Sequence, residues 1–289
     1  MKIAVFSVVY PGLEKYLPDF FNSLSNQTDV GFELFLINDG LEGLGGSLGK
    51  LPFPVRVKDS KDSPSALRKR GINWLMNEGI EAVVFADADD YFSENRVEIV
   101  KRLLLKNNLV YNELILFGEQ LHSPLPMLTN FYKENEEITA KDLVSYNCLG
   151  LSNTSIRLDK IPEKIMEIPD NQIAFDWDFF SLILHSGISA FFTGKAKTWY
   201  RQHEKNIASP SSLKDEQILR GIHIKRDHYC LMSQWYEEYN DLEKEFRKLL
   251  TRLKTDDLMK KKYCNAVRKQ FSHIQRWWEP MKLIDELIW

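Results

Sequence analysis

Apolar runs and amphipathic stretches alternate along the first half of the chain. Lys2 to Val9, Phe32 to Ile37, Val55 to Lys58 and Ala82 to Ala86 have strand length, and stretches with helical spacing lie near Leu13 to Asn26, Ser63 to Asn77 and Ser93 to Asn107. Ser93 is the expected N-cap of the third helix, although Arg96 rather than Glu stands three residues on, so the capping box is incomplete. Strands that alternate with helices cross over into a mainly parallel sheet, and the pattern predicts an α/β fold. Beyond Pro210 the character changes. No proline occurs before Pro280, Gly221 is the only glycine, and Leu242, Phe246, Leu249, Leu250 and Leu253 recur at helical spacing. The chain therefore divides into an α/β unit over residues 1–210 and a helical C-terminal extension over 211–289.

A length of 289 residues, 44% of them hydrophobic and 27% charged, is that of a globular protein large enough for one domain with an appendage. Cys148, Cys230 and Cys264 are scattered and odd in number, which points to a reducing, cytoplasmic setting without a zinc or redox pair. The opening run from Met1 to Pro11 is too short to span a bilayer and lacks a small-residue cleavage site, so it reads as a buried strand. No later run is long enough either, and the expectation is a soluble protein, lying at most against the inner face of a membrane. The sequons Asn26-Gln27-Thr28 and Asn153-Thr154-Ser155 then read as chance. Residues 1–210 hold 22 Lys and Arg against 28 Asp and Glu, and residues 211–289 hold 16 against 13. That imbalance, with no zinc-finger or RNP-type motif, argues against a nucleic-acid partner.

In open α/β sheets ligands collect at the carboxyl ends of the strands. Asn38-Asp39-Gly40 ends the second predicted strand and Asp87-Ala88-Asp89-Asp90 ends the fourth, so both acidic groups should face one crevice. Alternate residues leaving a strand point the same way, and hard divalent cations take oxygen ligands, so the second group suits a metal bridging a diphosphate. A solvated acidic turn ahead of a helix accounts for the spacing equally well. In Phe175-Asp176-Trp177-Asp178-Phe179-Phe180, at the start of a helix running to about His185, carboxylates among aromatics are prone to raised pKa values and suit a general base. Taken alone, surface acids in a first turn explain that run better. Tyr200-Arg201-Gln202-His203-Glu204-Lys205-Asn206 brings a cation, an imidazole and an amide into one loop after a short strand. Gly43-Leu44-Gly45-Gly46-Ser47-Leu48-Gly49-Lys50 fails as a phosphate loop, since Leu44 stands at its first Gly position and Leu51 follows the Lys; it fails as a dinucleotide fingerprint because Leu48 takes the third glycine, and it reads as a flexible loop.

Taken in order, these features resemble the family 2 glycosyltransferases, enzymes of the GT-A fold that use nucleotide sugars. Phe6-Ser7-Val8-Val9-Tyr10-Pro11 looks like the first-strand signature, and Phe35-Leu36-Ile37-Asn38-Asp39-Gly40 like the Asp-Asp-Gly-Ser nucleotide turn. Leu67-Arg68-Lys69-Arg70-Gly71-Ile72 is similar to an Ala-Arg-Asn-x-Gly-Ile helix, Asp87-Ala88-Asp89-Asp90 to the metal motif, Phe175-Asp176 to Glu-Asp, and Tyr200-Arg201-Gln202-His203 with Asn206 to Tyr-Arg-x-His-x-x-Asn. The resemblance covers about the first 210 residues. It implies a GT-A, Rossmann-like sheet flanked by helices, and an inverting, metal-assisted transfer of a sugar, best from a UDP-sugar, to a glycan or lipid-linked acceptor. By the same resemblance Asp39 contacts the base and Asp87 the ribose side, Arg68 and His203 lie near the phosphates, and Pro11, Ala88 and Arg201 line the donor. Asp89 with His203 would hold Mn2+ or Mg2+, and Asp176, with Asp178 as its rival, would be the catalytic base. Departures occur at Asn38 and Leu41 in the nucleotide turn, at Phe175 in place of Glu, and in Pro11-Gly12-Leu13-Glu14, which lacks a Thr-x-Asn.

Two other readings stand beside it. In a phosphohydrolase of the haloacid dehalogenase type Asp87 would be the nucleophile and Asp89 the acid, although Tyr91 stands where Thr or Val is expected. A non-catalytic member of the GT-A fold would bind sugar or nucleotide without turnover. In the tail, Trp277, Trp278 and Trp289 lie near Arg268, Lys269, Arg276 and Lys282. Contact with an anionic membrane through the C-terminal helices is one explanation. Packing on the catalytic unit or on a second subunit of a homo-oligomer is preferred.

Overall fold

The computed structural model describes residues 1–118, 123–202, 214–270 and 276–287. In chain order the elements are β1 (Ile3–Val9), α1 (Leu17–Ser25), β2 (Glu33–Asn38), α2 (Leu44–Leu48), β3 (Val55–Asp59), α3 (Pro64–Asn77), β4 (Ala82–Phe85), β5 (Tyr91–Phe92), α4 (Arg96–Leu103) and β6 (Leu109–Phe117). There follow β7 (Leu125–Pro126), β8 (Glu137–Ile138), β9 (Thr154–Arg157), α5 (Phe175–His185), β10 (Ala190–Arg201), α6 (Asp215–Met232), α7 (Asn240–Thr255) and α8 (Asp257–Gln270).

One sheet runs in the order β3-β2-β1-β4-β9-β6-β10-β5, with β7 added to β6 and β8 to β10. The first four of these strands are parallel, β9 runs antiparallel to both β4 and β6, and β6 with β10 is parallel again. The α/β expectation holds, and the sheet is mixed because β9 inserts between the two parallel blocks. Alternate residues feed opposite faces. Ala4, Phe6, Phe35, Val83 and Phe85 enter one core, while Ile3, Val5, Leu34, Leu36 and Val84 enter the other, which is why β1, β2 and β4 read as near-continuous apolar runs. Strand order reverses between β1 and β4, and that switch point opens the crevice at their carboxyl ends.

Two local expectations are corrected. Ser93 is not the N-cap of α4: Asn95 holds that position, and the Ser93 hydroxyl bonds to Asn95 Oδ1 and accepts from the Lys197 amide 2.9 Å away. The glycine-rich stretch is not a plain loop, because Leu44, buried in the core, seats a single helical turn between Gly43 (φ 70°) and Gly49 (φ 52°). In α3 the hydroxyl of Ser63 caps the Ala66 amide, and Gly71 is required by packing: a Cβ there would lie 2.0 Å from Cζ of Phe6 on β1.

Helices α6 to α8 share the core beneath the sheet, with Ile218, Ile222, Tyr229 and Leu249 in the same cluster as Phe85, Trp177 and Phe180. Residues 276–287 return over the α/β part. Trp277 pairs its backbone with Asn147, and Arg276 lies 3.5 Å from the centre of the Tyr146 ring. No helix among the described residues is long and apolar enough to cross a membrane.

Candidate active site

Because β2 and β4 flank β1 in parallel register, the turns that follow them open on one edge of the sheet. Tyr10 stands between them at the end of β1, 44% exposed. Its phenol pKa is raised by burial and by the nearby charges of Asp89 and Asp87. Pro11 follows it in an exposed turn. On the β2 side the Asp39 amide donates to the Val9 carbonyl at 2.7 Å. Asn38 closes its own turn, donating to Leu41 O (3.1 Å) and Asp59 Oδ1 (2.9 Å) and accepting from the Leu41 amide (2.8 Å), while the Leu41 side chain is buried. The two departures from the family turn are thus a loop brace and a core residue. Gly40, at φ +84°, lies under the Lys61 side chain, whose Cε would be 2.8 Å from a Cβ at that position.

On the β4 side the four residues of the acidic turn divide their tasks. Ala88 is buried in the core under α1, and Asp90 is 1% exposed. Asp90 accepts from the Ser152 hydroxyl and, at 2.8 Å, from the Arg201 amide, so it pins the turn to its neighbours. Burial first, then the charges of Asp89 and Asp87, push its pKa well up. Asp87 and Asp89 stay half-buried at the surface of the crevice. The Asp87 carboxyl is raised to about 6, mainly by burial and then by Asp89, against the lowering effect of Arg68, whose Nη2 is 3.8 Å from Asp87 Oδ1. Beneath the turn lies Arg96, 1% exposed, bonded to Asn112 Oδ1 (3.0 Å) and Phe85 O (2.8 Å) and stacked 4.3 Å from the centre of the Phe92 ring. Burial lowers its pKa to about 9, opposed by the charges of Asp90 and Asp87.

Helix α5 closes the crevice from the other side. Asp176 accepts from its neighbour's amide (Trp177 N, 2.9 Å) and from Asn147 Nδ2 (3.2 Å). Burial raises its carboxyl to about 7; the Trp177 bond and Arg68 act against this, and Asp87 and Asp178 add to it. Asp176 therefore belongs electrostatically to the same site as Asp87 and Arg68. Asp178 does not face it. That residue is 1% exposed, 2.7 Å from His228 Nδ1 and 2.8 Å from Gln172 Nε2, with its pKa raised by burial and held down by both partners. Phe175, in the place of the family Glu, is buried and stacks on Phe179 with centroids 5.5 Å apart.

Arg201 sits at the rim. Its guanidinium reaches Asp19 Oδ2 (2.7 Å) and Asp89 O (2.8 Å) and lies over the rings of Tyr16 and Phe117. It ties α1 to the acidic turn. His203 and Asn206 lie outside the described residues. Tyr10, Asn147, Arg96 and His228 were not singled out as site residues by the sequence. A terminal strand residue such as Tyr10 carries a usable positional signal, whereas the other three are joined to the site only by the fold.

Within this arrangement the chain matches the model for glycosyl transferase family 2 over residues 4–148, half its length. The chain belongs to glycosyl transferase family 2. Its fold is the GT-A fold. The Staphylococcus aureus TarS 1–349 structure with UDP superposes with a TM-score of 0.54 at 16% identity, covering 79% of this chain and 65% of that one. The chain thus spans just under two thirds of that structure's length. GalNAc-T7 with UDP, GalNAc and Mn2+ gives 0.57 at 12% identity, over 95% and 52%. A mannosyltransferase from Pyrobaculum calidifontis with GDP-Man and Mn2+ gives 0.53 at 10% identity, over 81% and 64%. Among curated proteins no sequence match is found. Membership of this family removes the haloacid dehalogenase reading of Asp87 as a nucleophile.

The site suits a divalent ion of a particular kind. Among the described residues no group of three His, Cys, Asp or Glu side chains is placed to hold a metal ion by itself. What the crevice offers is hard carboxylate oxygen on Asp87 and Asp89, close enough that the Asp89 charge raises the Asp87 pKa. Such a donor set fits Mg2+ or Mn2+ completed by phosphate oxygens and water, and not a protein-only zinc site.

Proposed function

We propose that this glycosyltransferase is an inverting enzyme that moves a sugar from a nucleotide-sugar donor, with a UDP-sugar favoured, to a hydroxyl of a glycan or lipid-linked acceptor. The observation that carries the reading is the pairing of Arg68 with Asp87, 3.8 Å apart at the switch point between β1 and β4, within reach of whose charges Asp176 lies. A carboxyl lifted to about 7 by burial, beside an acidic turn and a cation suited to a diphosphate, supports a general base acting next to a nucleotide sugar. The UDP and GDP-sugar complexes of the similar structures support a nucleotide donor, and their Mn2+ supports a divalent ion.

In this reading the nucleotide lies along the carboxyl edge of β1 and β2, with Asp39 toward the base, Asp87 and the backbone of Ala88 toward the ribose, and Pro11 and Tyr10 beneath. Arg68 faces the phosphates, the family pattern would assign His203 to them as well, and Arg201 holds the acidic turn. Asp89, with His203, would hold Mn2+ or Mg2+, which when bound supplies positive charge to the departing diphosphate. Asp176 takes the proton of the acceptor hydroxyl as its oxygen bonds to the anomeric carbon. The carbon–oxygen bond to the diphosphate breaks, the nucleoside diphosphate leaves with the electron pair, and the configuration inverts. Residues 1–210 carry this chemistry and residues 211–289 brace it.

Release of nucleoside diphosphate from UDP-N-acetylglucosamine, UDP-N-acetylgalactosamine and GDP-mannose, with Mn2+ or with EDTA, tests the proposal. Metal-dependent release that disappears in Asp89→Ala is expected. Binding of the donors without release, in wild type as in the variant, would support a non-catalytic GT-A protein instead.

A further inference from the structure

The first turn of α5 has no side-chain cap of its own, since Ala174 occupies the N-cap position. Its placement is left to tertiary contacts. Residues two apart on a helix are rotated by about 200° about its axis, so their side chains diverge by about 160°. Asp176 therefore faces the crevice and Asp178 the opposite side, where α6 of the C-terminal extension lies.

There His228, 1% exposed, meets the Asp178 carboxylate at 2.7 Å and stacks on Trp177 with ring centroids 4.0 Å apart and planes 14° apart. Trp177 is itself fixed by a 2.8 Å bond from its indole to the Leu143 carbonyl. A second link from the extension reaches the same turn: the Trp277 backbone exchanges hydrogen bonds of 2.9 and 3.0 Å with Asn147, whose amide holds Asp176.

We propose that His228 is a positioning residue for the base, gripping Asp178 and Trp177 so that the carboxylate of Asp176 is held toward the acceptor. The inference rests on the reading of Asp176 as the base. It gives the C-terminal extension a part in turnover. The charged groups that bear on Asp176 are Arg68 on α3, Asp87 after β4 and Asp178 on α5, and those on Asp178 are His228 and Asp227 on α6.

Full-length His228→Ala, His228→Asn and His228→Phe are compared with Asp176→Asn in UDP-N-acetylglucosamine hydrolysis with Mn2+, and the Asp176 carboxyl is titrated by carbon-13 NMR. Loss of the grip should lower kcat by about tenfold or more with the donor KM unchanged, since a small misplacement of a catalytic group costs rate before binding. As water gains access, the Asp176 titration should move down by about one pH unit or more. His228→Asn, whose amide replaces the ring donor, should recover most of the rate, and His228→Phe, which keeps only the stack, should not. Wild-type kcat and an unmoved titration in folded His228→Ala or His228→Phe would overturn the inference, as would a KM that rises in step with the loss of kcat. Where the donor is not turned over, the titration alone decides. Full activity in Asp176→Asn would instead overturn the assignment of the base, leaving the two failures distinct.

Discussion

Replacing Asp176 by Asn removes the charge but keeps the shape of a carboxyl that burial has lifted from 3.8 to about 7. Two consequences of opposite sign follow. As a base the group acts only when ionised, so a pKa of about 7 makes the ionised fraction about one tenth at pH 6 and about nine tenths at pH 8. Wild-type kcat should rise about tenfold across that interval, and Asp176→Asn should lose a factor of about 10² to 10⁴ at pH 8. For stability, a folded-state pKa above the unfolded one means that the native state binds the extra proton. The native state therefore loses ground as pH climbs from about 4 to about 7. The full shift corresponds to about 4 kcal/mol, and partial solvation of the group reduces this to about 2 kcal/mol. Asp176→Asn should therefore melt about 4 °C above wild type at pH 8, with the gap closing as pH falls toward 4. Nucleoside diphosphate release and thermal melts at pH 6, 7 and 8 give both readings. An Asn variant that is inactive but also less stable at pH 8 would refute the electrostatic reasoning, and one that turns over normally would refute the role.

Gly71→Ala should cost about 1–3 kcal/mol in urea unfolding, because the new methyl would sit 2.0 Å from Cζ of Phe6 unless α3 moves off β1. Glu113, 1% exposed on β6, accepts from the amides of Leu114, Met127, Leu128 and Thr129 at 2.6 to 3.2 Å, so Glu113→Gln should destabilise by about 2 kcal/mol or more and loosen hydrogen exchange at residues 127–129. Arg201→Gln should weaken UDP and Mn2+ binding by calorimetry more than it lowers Tm, since its contacts hold Asp89 O and Asp19 at the rim. An unchanged affinity would remove Arg201 from the site.

The crevice was legible because its parts sit at strand ends. β1, β2 and β4 are near-continuous apolar runs that feed both faces of the sheet, and the polar residues that follow them, Asn38-Asp39 and the turn from Asp87 to Asp90, mark the edge on which the crevice opens. Which of Asp176 and Asp178 faces the site was not legible, since both open one helix and only the packing of α6 turns Asp178 away. His228 and Asn147 gave no local signal for the same reason: each acts across more than twenty residues of sequence through a contact that exists only after folding, and Trp277, visible as a tail aromatic, finds its partner Asn147 only there. The insertion of β9 between β4 and β6 was hidden by its length of four residues. The departures at Leu41 and Phe175, which looked like damage to a binding motif, are core positions in this chain.

The most direct test of the account is a crystal structure of the protein with UDP and Mn2+. The diphosphate should lie at the carboxyl ends of β1 and β4, with the ion joined to the Asp89 carboxylate and Asp176 open toward the empty acceptor side. A nucleotide bound elsewhere, or one seated there while Asp87 and Asp89 turn away into bulk water and no ion is held, would contradict it.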